Sequence, residues 1–172
     1  MKPKGIPPKS WFPGVKCPAL ACIRLNAQDT LKDLRNLVAD LDDSASNDED
    51  YETRQESKEN FAHYSGAIDA LEKIVAIERN MTLSEFQRWM EGEIHDTVMQ
   101  LRQTAGYISG PAEGWRSYIV RQNLFLDDEE RYLELAFMIG RIDRFLELDR
   151  DYGLGLNPEL VKTAELHATL HS

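Results

Sequence analysis

The stretch TLSEFQRWMEGEIHDTVMQLRQTA, Thr82 to Ala105, decides the fold. Leu83, Phe86, Met90, Ile94, Val98, Leu101 and Ala105 recur at spacings of three and four, which puts them on one side of a 3.6-residue helix. Thr82 and Glu85, three apart at the head of that stripe, form a capping box that marks where the helix begins. A helix with a single apolar stripe must bury it against another element, and the chain offers helices for the purpose.

The clearest partner is DDEERYLELAFMIGRIDRFLELD, Asp127 to Asp149. Its buried face is expected to be Tyr132, Leu135, Ile139, Ile142 and Leu146, flanked by Leu133, Ala136, Phe137, Met138 and Phe145. Gly153 and Gly155 stop this helix, and Asn157 ahead of Pro158 starts a last one that runs toward Thr169, because asparagine caps the first amides and proline suits the first helical position.

Upstream, a first helix is expected to open at Asn26, to carry the stripe Leu31, Leu34, Leu37, Val38 and Leu41, and to end near Asp42. The run DDSASNDED, Asp42 to Asp50, has nothing to bury and reads as an exposed acidic loop. A second helix spans about Glu49 to Arg79 with Phe61, Tyr64, Ile68, Leu71 and Val75 on one face, widened by Ala67, Ile74 and Ile77, and its polar first turns are expected to project. GYISGPAEGW, Gly106 to Trp115, reads as a loop, and Arg116 to Phe125 as a short helix. The expected fold is all-α, a five- to six-helix bundle with an irregular proline-rich N-terminal arm: residues 1–25 form the arm and 26–172 a single helical domain. The alternative adds a small hairpin from Ala21 to Leu25 and Tyr118 to Val120.

The arm differs in kind from the body. Pro3, Pro7, Pro8, Pro13 and Pro18 crowd it, and Trp11 and Phe12 sit among them as large aromatics that need a surface to pack on. Before Asp29 the chain has Lys2, Lys4, Lys9, Lys16 and Arg24 and no acid. The overall net charge is −10, so the remaining 15 basic and 30 acidic residues leave the body at −15. Such a body repels polyanions, which argues against direct nucleic-acid binding. No apolar run approaches the roughly 20 residues that span a bilayer, and the two cysteines, Cys17 and Cys22, are too few for a disulfide framework, so a cytoplasmic protein with free thiols is expected.

No glycine-rich phosphate loop, nucleophile elbow or HExxH motif occurs. Candidate chemistry is confined to pairs on helices. His167 and His171, and Glu91 and His95 with Arg102 further along, stand at i,i+4 spacing, which suits a metal or a carboxylate-oriented imidazole but equally an ordinary surface pair. Glu129, Glu130 and Glu134 are the acids that could hold magnesium for an all-α nucleotide hydrolase, but their spacing is not that of such enzymes, and Asp143, Glu147 and Asp149 do not supply the Glu-x-x-Asp partner motif that those enzymes place on the next helix. The same acids also suit a helix N-terminus or pair with Arg131, Arg141 and Arg144.

The preferred expectation is an acidic helical protein–protein interaction module, an inhibitor or regulator of a nucleic-acid-handling protein, that meets a basic protein surface through Trp11, Phe12, Asp42, Asp43, Asp48, Glu49, Asp50, Tyr107 and Trp115. The alternatives are a structural subunit of a homo-oligomer and the magnesium-dependent hydrolase. No cofactor, catalytic residue or metal ligand is assigned. Excess EDTA should therefore leave the melting temperature unchanged within a few degrees; a larger fall would show that one of the histidine or carboxylate pairs holds a structural metal.

Overall fold

A computed structural model describes residues 5, 18–47, 50–78, 80–109 and 128–168; the side chains of 18, 44–47, 105–109 and 167–168 lie outside it. Among the described residues there are five helices and no strand: α1 Pro18–Asn47, α2 Tyr51–Ala76, α3 Leu83–Ser109, α4 Glu129–Tyr152 and α5 Pro158–Ala168. None is long and apolar enough to cross a membrane.

The helix ends follow local chemistry. Thr82 Oγ1 accepts from the Glu85 amide at 3.1 Å to open α3, and Asn157 Oδ1 accepts from the amides of Glu159 and Leu160 to open α5 behind Pro158. Gly153 ends α4 in the left-handed conformation, φ 60°, so that its amide and that of Leu154 both reach the Asp149 carbonyl.

α1 departs from expectation at both ends. It starts at Pro18, eight residues before Asn26, because proline at a first helical position lacks only an amide that has no partner there anyway. Ala19, Leu20, Ile23 and Ala27 are buried, so residues 18–25 belong to the helical body and Ala21 to Leu25 cannot form the strand of a hairpin. At the other end the helix continues through Asn47. Asp42 and Asp43 are thus helical and not in a loop, since each residue added to a formed helix contributes a backbone hydrogen bond even where nothing is buried. α3 likewise absorbs Gly106 to Ser109; Tyr118 to Val120 and the remainder of the 110–127 segment lie outside the described residues.

α2 lies between α1 and α4. It runs antiparallel to α1 and parallel to α4, since Lys58 meets Glu129, Gly66 meets Phe137 and Asp69 meets Arg141 in the same order along both helices. The centre of that packing is backbone on backbone. A Cβ built on Gly66 would lie 1.9 Å from the Phe137 carbonyl oxygen, and one on Gly140 would lie 1.8 Å from that of His63. Ala62, Ala67, Ala70 and Ala136, all buried, keep the seam narrow on either side. The buried face of α2 is therefore Ala62, Gly66, Ala67, Ala70, Leu71 and Ile74, whereas Phe61, Tyr64, Ile68 and Val75, expected in the core, are half-buried. Its first turns do not project, because Gln55 and Ser57 are buried.

α3 then closes on α4 through its apolar stripe. Phe86, Met90, Ile94 and Leu101 are fully buried, and Trp89 stacks on Phe86 and meets Phe145 edge-on. All five residues assigned to the inner face of α4 are buried.

Two stability series test this packing by urea denaturation. Gly66→Ala or Gly140→Ala should cost about 3 kcal/mol or more, because the new methyl meets rigid backbone, whereas Gly92→Ala, with nothing within 4 Å, should gain about 0.5–1 kcal/mol of helix propensity. Met90→Ala or Ile94→Ala should cost roughly 2–4 kcal/mol against about 1 kcal/mol for Thr82→Ala. Equal losses at Gly66 and Gly92 would remove the close approach as the determinant of the seam.

Candidate functional site

Away from the glycine crossing, α2 and α4 carry larger side chains, and the space between their N-terminal halves opens toward the last turns of α1. The result is a groove of about 520 Å³ lined by Asp42 of α1, by Lys58, Phe61, Ala62 and Ser65 of α2, and by Glu129, Glu130, Leu133, Glu134 and Phe137 of α4. Its floor is apolar, with Phe61, Leu133 and Phe137 half-buried. They are left so because Gly66 and Gly140 turn α2 and α4 to bury their small residues against each other, which leaves these three beside the seam.

The rim is mainly acidic. Lys58, the one cation among the described lining residues, is taken by Glu129 at 2.6 Å. Just below, the Tyr132 hydroxyl donates to the Glu59 carboxylate. Ser65 returns its hydroxyl to the Phe61 carbonyl at 2.7 Å and so lines the groove without offering a free donor. Glu130 and Glu134 are exposed and carry no ion pair with any described residue. Standing four apart on α4, they repel each other by a few tenths of a kcal/mol, an arrangement that favours an incoming cation.

The sequence candidates scatter. Asp42 reaches the groove and Asp43 is exposed beside it in α1. Asp50 caps α2: its Oδ2 accepts from the Thr53 hydroxyl at 2.6 Å and from the Thr53 amide at 3.0 Å. Those bonds, the hydroxyl first, hold its carboxyl below the usual carboxylate range. The cap is therefore complete above that range and is lost as pH falls through the lowered value. Tyr107 is helical in α3, with its side chain outside the described set, and Trp11, Phe12, Asp48, Glu49 and Trp115 lie outside the described residues altogether.

Of the acids considered for magnesium, Glu129, Glu130 and Glu134 all line the groove, whereas Asp143, Glu147 and Asp149 are engaged away from it. Glu129 serves Lys58, Asp143 receives His63 Nε2 at 3.0 Å, Glu147 pairs with Arg144 at 2.9 Å, and Asp149 Oδ1 accepts the Leu156 amide. His95 is exposed and lies 3.5 Å from Asp96, the neighbouring acid, instead of pairing with Glu91. Among the described residues no three His, Cys, Asp or Glu side chains come together as a metal site. Cys22 is a free, half-buried thiol, contacted by Asn26.

Phe61, Leu133, Phe137 and Lys58 are the site residues that pattern reading missed, the aromatic and aliphatic ones having been assigned to the core. The signal lay in the small residues: Ala62, Gly66 and Ala70 at four-residue spacing on α2, with Ala136 and Gly140 on α4, define a seam that turns Phe61 and Phe137 to its side. Compared with known protein families, curated proteins and solved structures, the chain matches none, and its groove is read from its own chemistry.

Proposed function

We propose that the protein is a binding module whose groove receives an apolar anchor carried on a basic segment of a protein partner. The observation that carries this reading is the placement of Glu130 and Glu134, exposed and without an ion pair among the described residues, along the edge of a floor made by Phe61, Leu133 and Phe137. An aromatic or branched side chain entering there removes apolar surface from water, while lysine or arginine beside it meets exposed carboxylates. The −15 body adds long-range attraction, so encounter is fast for a cationic partner and slow for an anionic one. Proteins that handle nucleic acid present such cationic surfaces to phosphate, and covering one of them would make this protein its inhibitor or regulator.

The test is surface plasmon resonance with the full chain and a synthetic peptide bearing one tryptophan among lysines, at two salt concentrations. Leu133→Asp or Phe137→Asp should raise the dissociation rate and weaken affinity roughly 30-fold, as expected for an anchor worth about 2 kcal/mol. Glu130→Gln with Glu134→Gln, or neutralising Asp42, Asp43, Asp48, Glu49 and Asp50, should slow association and flatten its salt dependence. Asp50→Asn suits the second set because asparagine keeps the α2 cap while the charge is removed. A complex indifferent to both sets, or one with a salt-independent on-rate, would rule the groove out as the binding site.

A further inference from the structure

We propose that the groove of one copy receives the Trp11–Phe12 segment of a second copy, two chains exchanging arms to form a closed dimer. This names the occupant of the groove described above and rests on that reading of it.

Three observations converge on the arm. The first is chemical. KSWFPGVK, Lys9 to Lys16, sets an aromatic pair between two lysines in a segment with no acid before Asp29. That is the complement of Phe61, Leu133 and Phe137 edged by Glu130 and Glu134.

The second is distance. α1 begins at Pro18 beside the C-terminal end of α2, where Arg24 donates to the Val75 carbonyl at 2.8 Å. The groove lies at the far end, where Asp42 approaches Lys58 and Phe61. A helix from Pro18 to Asp42 covers about 36 Å at 1.5 Å per residue. Trp11 stands seven residues before Pro18, a tether of about 25 Å at most when fully stretched. Within one chain the arm would have to double back along α1, and its aromatic pair would still fall short of the middle of the groove. A second copy carries no such limit.

The third is closure. Each chain brings one such arm to one such groove, so reciprocal docking satisfies both at two copies and leaves no open end for a filament. Once one arm is seated, the second docks intramolecularly at high effective concentration. The basic arms also bridge two acidic bodies that would otherwise repel each other, so the dimer weakens as salt rises.

The experiment mixes equal amounts of unlabelled and 15N-labelled full-length chain and treats the mixture with a zero-length carbodiimide cross-linker. Mass spectrometry then reads the peptides that join Lys9 or Lys16 to Glu130 or Glu134, and sedimentation velocity gives the mass. The expected result is a dimer in which about half of those cross-links pair a light with a heavy peptide, the statistical share for reciprocal exchange. The dimer should dissociate in the Trp11→Ala, Phe12→Ala double variant and in Glu130→Gln with Glu134→Gln. Glu130 and Glu134 are exposed, and circular dichroism tests that each variant remains helical. Cross-links confined to one isotope, a monomer, or a dimer whose arm lysines never join the groove would each overturn arm exchange. If the lysine–tryptophan peptide still binds in those cases, the groove keeps its function and only the occupant is wrong; if it also fails to bind, both readings fall together.

Discussion

The contact on which the structure depends is the one with no side chains in it. Gly66 and Gly140 bring the backbones of α2 and α4 closer than any other residue would permit, since even a methyl group at either position would overlap a carbonyl oxygen. At that separation the glycine Cα hydrogens face carbonyl oxygens, and the flanking alanines gain dispersion contact along the seam. Polar groups then bracket the crossing. His63, whose own carbonyl faces Gly140, reaches Asp143 one turn later, and Arg141 places its guanidinium 3.1 Å from Asp69 of α2 and 2.8 Å from Glu93 of α3. Only the Glu93 contact is aligned as a hydrogen bond; Nε of Arg141 faces Asp69 at ion-pair distance without a hydrogen-bond angle.

Arg141 is 12% exposed, so it exchanges most of its hydration for these carboxylates. A pair buried to that degree adds little net stability, but it is satisfied in one alignment of three helices, and breaking it leaves an unpaired charge. Lys73 joins the same Glu93 at 3.2 Å. The cluster thus ties α3 to the α2–α4 seam at a fixed height, which also sets where the Phe86, Trp89 and Phe145 rings meet.

How much of this was legible in the sequence depended on whether large or small residues carried the information. α3 and α4 announce their buried faces with Phe, Met, Ile and Leu at helical spacing, and both were read correctly, as were the Thr82 and Asn157 caps and the stop at Gly153. α2 shows only part of its face: Ala67, Leu71, Ile74 and Ile77 are buried as expected, but the seam is made by Ala62, Gly66 and Ala70, where an apolar-period reading gives weight to Phe61 and Val75 instead. That same displacement concealed the groove, whose floor consists of residues credited to the core. The ends of α1 were missed for a different reason. Pro18 and the run from Asp42 to Asn47 have poor helix propensity, yet a helix anchored by Leu20, Ile23, Ala27, Leu31 and Leu34 propagates through weak residues at its ends.

The parallel course of α2 and α4 also has a kinetic meaning. α1 and α2 are close in sequence and can pair as a local hairpin, whereas α2 can meet α4 only after the chain has travelled the whole of α3 and the segment beyond it. Such a non-local contact bears the loop-closure entropy of everything between, so it forms late on the way to the native state. Interactions made late act mainly on the rate of unfolding. The glycine crossing is in that sense the latch of the bundle: tightening or obstructing it changes how long the folded molecule lasts more than how quickly it is reached.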